Sequence, residues 1–141
     1  MNRNLRSRGI VALAVGVLSA LALTGCGSGT DDDPTGRTWE LTELEGSSLV
    51  EGTTIDLTIA DGTASGNAGC NTYTGEATVS DDGSMTVGPE IASTMMACEE
   101  PVMDQEQRYL DALAQVTGYE MAPDELLLLD ANGIALLTFS G

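Results

Sequence analysis

The side chains that could carry chemistry in this chain are three cysteines and 22 aspartates and glutamates, because the sequence contains no histidine. Histidine is the usual general base near neutral pH, so its absence excludes a Ser-His-Asp triad, a Cys-His nucleophile and a His-bearing zinc site. Paired carboxyl groups could still hydrolyse glycosides, but a large number of acids does not define a catalytic geometry. The sequence therefore predicts a protein that is not an enzyme, and the alternative is a carboxylate-dependent hydrolase of cell-wall or glycan material.

Cys26 follows a segment that has the layout of an export signal. Three arginines within the first eight residues precede an apolar run over residues 10–23, which is shorter than the roughly 20 residues of a membrane-spanning helix. The next residues, Leu23-Thr24-Gly25-Cys26, resemble the lipobox of bacterial lipoproteins. This resemblance implies that a signal peptide over residues 1–25 is removed and that Cys26 carries lipid; an ordinary cleaved signal with a chance cysteine is the alternative. We expect a cell-membrane protein that is lipid-anchored on the extracytoplasmic face.

Removal of that signal leaves a strongly acidic protein. Only Arg37 and Arg108 then remain against 22 acids, a balance of −20. Such a surface repels nucleic acid and anionic lipid headgroups, so neither is expected as a direct partner. Residues 26–37 contain no large apolar side chain and are predicted to form a flexible acidic linker. We expect one domain over residues 38–141, monomeric and without a cofactor or a metal site.

Short strands joined by tight turns dominate the predicted domain. Apolar and polar residues alternate over residues 55–59, and Asp61-Gly62 follows at once, a pattern typical of a tight hairpin. Turn residues at 81–83 and 130–133 separate further apolar segments and predict two more hairpins. The all-apolar arm over residues 126–129 is typical of a central strand.

One segment departs from this β pattern. Residues 101–116 lack glycine and begin with proline, which predicts the main helix of the domain. The helical period places Val102, Tyr109 and Leu113 on the core-facing side, and Glu106 falls on the same side. Because a carboxylate there needs hydrogen-bond donors, we expect Glu106 to accept bonds from loop N–H groups; ligand binding or acid/base chemistry is the alternative.

Two sequence signatures identify a family resemblance. Gly69-Cys70-Asn71, within the glycine-flanked stretch 66–75, and Ser93-Thr94-Met95-Met96-Ala97-Cys98 are similar to the paired signatures of the META domain, or HslJ-like, family. The resemblance covers residues 38–139 and implies a mostly β (α+β) fold: a small antiparallel, partly barrel-like sheet with one main helix. Members are commonly secreted or lipid-anchored bacterial envelope proteins without an established catalytic activity, and some are linked to heat shock and resistance to toxic compounds. Met95 departs from the family, which often has a basic residue there.

The two signatures also supply the candidate site residues. Each contributes one cysteine, which implies that Cys70 and Cys98 lie side by side and, in an exported protein, form a disulfide. Two buried thiols or one reactive thiol are the alternatives. The candidate ligand contacts are Gly69, Asn71, Tyr73 and Glu106.

Structural roles compete with ligand contact at these positions. Gly69 can supply a backbone conformation with positive φ, and Asn71 can hydrogen-bond neighbouring backbone. Tyr73 is predicted to pack in the core with its hydroxyl at the surface, and Met95 and Met96 are predicted to be packing residues. We expect a module that binds an envelope protein or a small molecule, or that supports envelope integrity under stress. A purely structural or chaperone-like surface protein is a further alternative.

Overall fold

The computed structural model describes residues 33–141. The predicted signal peptide and its lipidation site, Cys26, lie outside the described residues. The elements, in chain order, are β1 (Thr38–Leu44), β2 (Ser47–Ser48), β3 (Asp56–Ala60), β4 (Thr63–Asn67), β5 (Thr72–Val79), β6 (Met85–Ser93), α1 (Glu100–Leu113), β7 (Gly118–Ala122), β8 (Glu125–Leu129) and β9 (Ala135–Ser140).

The strands form one antiparallel sheet in the order β6-β5-β4-β3-β1-β9-β8-β7, with the short β2 paired to β1. The mostly β fold with one main helix is therefore as predicted. The sheet is not closed into a barrel, because within residues 33–141 its edges share one bridge, between Ser84 and Gly118, and no continuous ladder. The predicted partial barrel is thus an open sheet whose edges touch at one point.

The three predicted hairpins are all present. Asp61 and Gly62 join β3 to β4 with φ angles of 51° and 74°, the positive values that a tight turn of this kind requires. In the turn between β8 and β9, the Asp130 carboxylate accepts backbone N–H groups from Asn132 and Ile134 at 2.8 and 2.9 Å. The apolar β8 lies between β9 and β7, so it has the two neighbours expected of a central strand.

The helix α1 begins one residue before the predicted segment and ends three residues before its end. After Leu113 the α-helical hydrogen-bond pattern ends, and the Gln115 N–H donates to the carbonyl of Ala112, three residues earlier, at 3.0 Å. The Thr117 N–H then donates to the Leu129 carbonyl at 2.9 Å, so the chain has already joined β8. Val116 is buried but lies beyond the end of the helix.

One hydrophobic core holds the sheet and the helix together. Alternate strand residues contribute to it, together with Tyr109, Ala112 and Leu113 from α1. A segment with its own core is a unit that can fold alone. The largest fully buried side chains are Trp39, Tyr109, Phe139, Leu44, Ile55, Leu57, Ile59, Met85, Leu113, Leu126, Leu128 and Leu137.

The described end of the predicted linker lies against the sheet. The Trp39 indole N–H donates to the Pro34 carbonyl at 2.9 Å, and the Gly36 N–H donates to the Ile59 carbonyl at 2.9 Å. The Arg37 guanidinium stacks over the Trp39 ring, 3.9 Å from its centroid. Within residues 33–141, no helix is long and apolar enough to cross a membrane.

Candidate functional site

Glu106 holds the loop between β4 and β5 from the middle of α1. Its Oε2 accepts the backbone N–H groups of Cys70 and Asn71 at 3.0 and 2.6 Å, and its Oε1 accepts the Asn71 amide at 2.6 Å. The side chain is 5 % exposed. The predicted role as an acceptor of loop N–H groups is therefore what the geometry displays. Charged acceptors of this kind form the stronger class of hydrogen bonds.

Asn71 links Glu106 to the second signature. Its Oδ1 accepts the Met96 N–H at 2.6 Å and the Thr94 hydroxyl at 2.9 Å, while its Nδ2 also donates to the Met96 carbonyl at 3.2 Å. Asn71 is 2 % exposed, and all of its side-chain capacity is used for structure. Through it, Glu106 fixes the backbone of both signatures.

Gln105, the neighbour of Glu106 on the helix, holds a second loop in the same way. Its Oε1 accepts the Val50 N–H at 2.6 Å, and its Nε2 donates to the Thr53 hydroxyl at 2.9 Å. Sequence reasoning missed this residue, although an amide directly beside a core-facing glutamate was the available signal. Two consecutive buried polar residues thus anchor two loops to α1.

Tyr73 packs in the core as predicted, but the prediction that its hydroxyl lies at the surface is wrong, because that hydroxyl is buried and hydrogen-bonded. It donates to the Asp56 carbonyl at 2.9 Å, so the Tyr109 hydroxyl donates to it at 2.7 Å. Burial is the main cause that raises the pKa of both phenols well above the usual range, and the bond from Tyr109 partly offsets the rise at Tyr73. Both tyrosines therefore stay neutral near neutral pH and pack in the hydrophobic core.

Cys70 and Cys98 form the predicted disulfide, with Cα atoms 6.1 Å apart. That separation lies within the usual range for a disulfide. Cys70 is buried and Cys98 is exposed. Gly69 precedes the bridge with a φ of 113°, the left-handed region that the sequence reading expected of it. Its N–H donates to the Asn67 side chain at 2.7 Å, so Gly69 is part of the turn.

A groove of about 390 Å³ lies between the second signature and α1. Of the candidate ligand contacts it brings together Asn71 and Glu106, and not Gly69 or Tyr73. Among the described residues, Glu106 is the only carboxyl group that lines it. The full lining is Asn71, Ser93, Thr94, Met95, Met96, Ala97, Met103, Glu106, Gln107 and Leu110.

Met95 and Met96 stand open to solvent beside this groove. Met95 is 97 % exposed and Met96 is 59 % exposed, so the prediction that they are packing residues is wrong. The loop is attached to the fold through its backbone rather than through these side chains: Asn71 bonds the Met96 N–H and carbonyl groups, and the Cys98 disulfide follows two residues later. Helical spacing could have placed Met103, Gln107 and Leu110 on one face of α1, which is the other wall of the groove. That residues 93–97 lie opposite this face was not predictable from the sequence.

Three carboxylates line a separate concavity of about 400 Å³ at another part of the sheet, namely those of Glu40, Asp56 and Asp124. The Asp56 carboxylate accepts the Asn67 N–H at 3.1 Å. In the part of the chain that the structure describes, no group of cysteine and carboxylate side chains is close enough to hold a metal ion. This acidic surface does not include Glu106.

The fold and the site together define the class of domain. It is an antiparallel sheet with one helix, and a glutamate of that helix accepts backbone N–H groups of a Gly-Cys-Asn turn. Residues 32–140 match the family model of the META domain, so the chain belongs to that family. No curated protein matches the sequence.

Two solved structures share the fold. An NMR structure of a protein from Burkholderia xenovorans is 25 % identical, with a TM-score of 0.58 and coverage of 99 % of this chain and 97 % of that chain. Another NMR structure is 20 % identical, with a TM-score of 0.57 and coverage of 73 % of this chain and 86 % of that chain.

Proposed function

We propose that this protein is a lipid-anchored, extracytoplasmic META-domain protein that acts by binding and not by catalysis. The observation that carries the proposal is the pair of exposed methionines, Met95 and Met96, beside a groove in which Glu106, the one carboxyl group lining it among the described residues, already accepts three hydrogen bonds from the protein. The groove of the second signature is the contact surface.

The bonding of Glu106 supports a non-enzymatic role. A general acid or base must exchange a proton with substrate, and protonation of Glu106 would weaken its three bonds to the N–H donors of Cys70 and Asn71. A glycosidase also needs a second carboxyl group across the cleft. Among the residues described, none lines this groove besides Glu106.

The groove itself supports a binding role. Its volume of about 390 Å³ falls within the range of roughly 300–1,000 Å³ that small-molecule sites occupy. Methionine side chains are unbranched and polarisable, so they adapt to differently shaped ligands. Exposed large apolar side chains that cluster at one place mark interaction sites more often than isolated ones do.

The N-terminal sequence supports the anchor. A lipid on Cys26 would leave residues 27–33 between the membrane and Pro34, which already contacts the sheet through Trp39. Eight residue steps span at most about 29 Å. The domain would therefore stay close to the membrane surface, where envelope proteins and small molecules are its available partners.

A thermal-shift screen of residues 33–141 against envelope-derived small molecules and peptides tests the binding role. A ligand at 100 times its Kd stabilises a protein by about 2.7 kcal/mol. We expect hits that raise the Tm of the parent and of the matched control Ile134→Ser, which alters an exposed apolar residue in a hairpin turn. The same hits should not stabilise the double variant Met95→Ser/Met96→Ser.

Two results would contradict the proposal. Equal stabilisation of all three proteins would place the binding site outside the groove. Turnover of peptidoglycan or glycan fragments that disappears in a correctly folded Glu106→Gln variant would make the protein a hydrolase.

A further inference from the structure

One wall of the groove is apolar, and the loop that carries its methionines has a fixed backbone. The large apolar side chains exposed in residues 33–141 are Met95, Met96 and Ile134, and two of the three flank this groove. Hydrogen bonds in both directions between Asn71 and the Met96 backbone fix the loop, and the Cys98 disulfide fixes it again two residues later. A partner would therefore meet exposed methionine side chains on a loop whose backbone is already held, an arrangement that lowers the entropic cost of binding.

Three exposed acids of α1 flank the face of that helix that lines the groove. Met103, Gln107 and Leu110 line it from α1. At 3.6 residues per turn, three exposed acids of that helix lie about 60–100° around its axis from Met103, on the side opposite Glu106. The three acids are Glu100, Asp104 and Asp111.

No positive charge of the described segment competes for these acids. Arg108, the arginine of α1, bonds the Glu45 carboxylate at 2.8 Å. Arg37 lies over Trp39 and donates to the Pro123 carbonyl at 3.1 Å. The chain has no lysine. The groove therefore combines an apolar strip with flanking negative charges.

We infer that the groove binds a cationic amphipathic polypeptide segment, whose apolar side chains contact Met95, Met96 and Met103 while its lysines or arginines face the carboxylates of Asp104 and Asp111. Charge complementarity selects this occupant. A second copy of the chain would bring the same negative charge, and nucleic acid or an anionic membrane surface would be repelled. This inference rests on the proposed binding function and names its ligand class.

The probe is a 14-residue peptide of leucine and lysine arranged as an amphipathic helix. Its binding to residues 33–141 is measured by calorimetry and by the methyl resonances of the methionines. We expect saturable binding that weakens as salt is added and that shifts the signals of Met95, Met96 and Met103 more than those of the buried Met85.

Two variants and their matched controls localise the binding. Met95→Ser/Met96→Ser should weaken it about tenfold or more, as removal of apolar anchors does, whereas Ile134→Ser should leave it unchanged. Asp104→Asn/Asp111→Asn should weaken it several-fold and flatten its salt dependence, whereas Glu76→Gln/Glu120→Gln removes two exposed carboxylates outside the groove and should not. All four positions in the groove variants are exposed, so their melting curves should match the parent.

Three outcomes would overturn the inference. The first is equal binding to every variant, which would mean nonspecific attraction to an acidic protein. The second is equal binding of a peptide with glutamate in place of lysine. The third is no binding of the cationic peptide while a small molecule from the screen still stabilises the parent and not Met95→Ser/Met96→Ser; that result would leave the proposed function standing and exclude this ligand class.

Discussion

Glu106 is a buried carboxylate whose hydrogen-bond partners, within residues 33–141, are N–H groups and not an arginine. The nearest arginine on its helix, Arg108, is engaged with Glu45 at the surface. Three N–H donors from two consecutive residues, Cys70 and Asn71, take the place of a counter-ion. A buried charge is tolerated when hydrogen bonds satisfy it in this way. At the residue scale, one carboxylate therefore holds the first signature to α1, and Asn71 carries the connection to the second signature.

Substitutions of Glu106 should destabilise the domain in a graded order. Glu106→Ala leaves three buried donors unsatisfied and should lower the free energy of unfolding by roughly 2–4 kcal/mol. Glu106→Gln should cost less, because its oxygen can still accept the two backbone N–H groups while its NH₂ opposes the Asn71 amide. Chemical denaturation measures both, with the exposed Asp111→Ala as the control, expected within about 0.5 kcal/mol of the parent. An unchanged midpoint for Glu106→Ala would refute the acceptor role.

The paired phenols of Tyr73 and Tyr109 should make the domain sensitive to high pH. Burial raises their pKa in the folded state above the value of about 10 for an unfolded tyrosine. The folded state therefore keeps protons that the unfolded state loses. Their contribution to stability is complete below pH 10, and above it the free energy of unfolding should fall by up to about 2.7 kcal/mol per pH unit for the two groups.

Tyrosinate absorbance checks this pH dependence. Tyr73 and Tyr109 should ionise only together with unfolding, at a pH that the control Tyr119→Phe does not change. Replacing both tyrosines by phenylalanine should remove the alkaline loss of stability, at a cost to stability at neutral pH. Reversible ionisation of all three tyrosines in folded protein would contradict the burial of this pair.

At the scale of elements, the site is made where two distant segments meet α1. The hairpin of β5 and β6 folds back so that the Thr94 N–H donates to the Thr72 carbonyl at 3.0 Å, which brings the second signature beside the first. The disulfide then closes the chain over 28 residues. The Met95–Met96 loop is thus fixed to β5 by hydrogen bonds and to the β4–β5 loop by a covalent bond.

Loss of the disulfide should destabilise the domain without removing the Glu106 bonds. The entropic model gives about 3.5 kcal/mol for a loop of this length, and Cys70→Ser/Cys98→Ser should show a loss of that order in chemical denaturation. Thiol titration of the exported protein under denaturing conditions should find no free thiol besides those of incompletely processed Cys26. Two free thiols per chain in the mature protein would mean that the pair is reduced.

The elements that local patterns specify were predictable, and those that depend on distant partners were not. Asp61-Gly62 sets its own backbone geometry, so that hairpin follows from two residues. The period of α1 was sufficient to place Glu106 toward the core, but the donors that it meets belong to another segment. The hydroxyl of Tyr73 finds its partners on β3 and α1, and nothing near it in sequence indicates them. Strand β7 was missed because its alternation depends on only two large apolar residues, Tyr119 and Met121, which is too short a pattern to indicate a strand.

At the scale of the whole molecule, an acidic domain is joined to a proposed lipid anchor by a short segment. Its charge keeps the surface away from anionic headgroups, so attachment would depend on the lipid itself. The proposed binding surface, the groove, would therefore be separate from the lipid that anchors the protein. The groove is lined by α1 and residues 93–97, whereas Pro34 contacts Trp39 of β1.

Replacement of Cys26 should release the protein from the membrane. Cys26→Ala removes the thiol that would carry the lipid, and the apolar signal is too short to anchor the chain stably as a spanning helix. Fractionation of cells, with Cys70→Ala/Cys98→Ala as the control that keeps Cys26, measures the effect. Equally firm membrane association of Cys26→Ala and its parent would show that another feature is the anchor.

The position of β1 between β3 and β9 has a consequence for the order in which the strands pair during folding. The Thr42 hydroxyl reaches the Thr138 carbonyl across 96 residues of chain, whereas the hairpins close over a few residues each. Contacts between distant segments form slowly, so we expect the β1–β9 seam to form late in folding. Until β9 is synthesised and free to pair, β1 presents an open edge that other chains can join. We therefore expect β1 to be exposed to aggregation until β9 has paired with it.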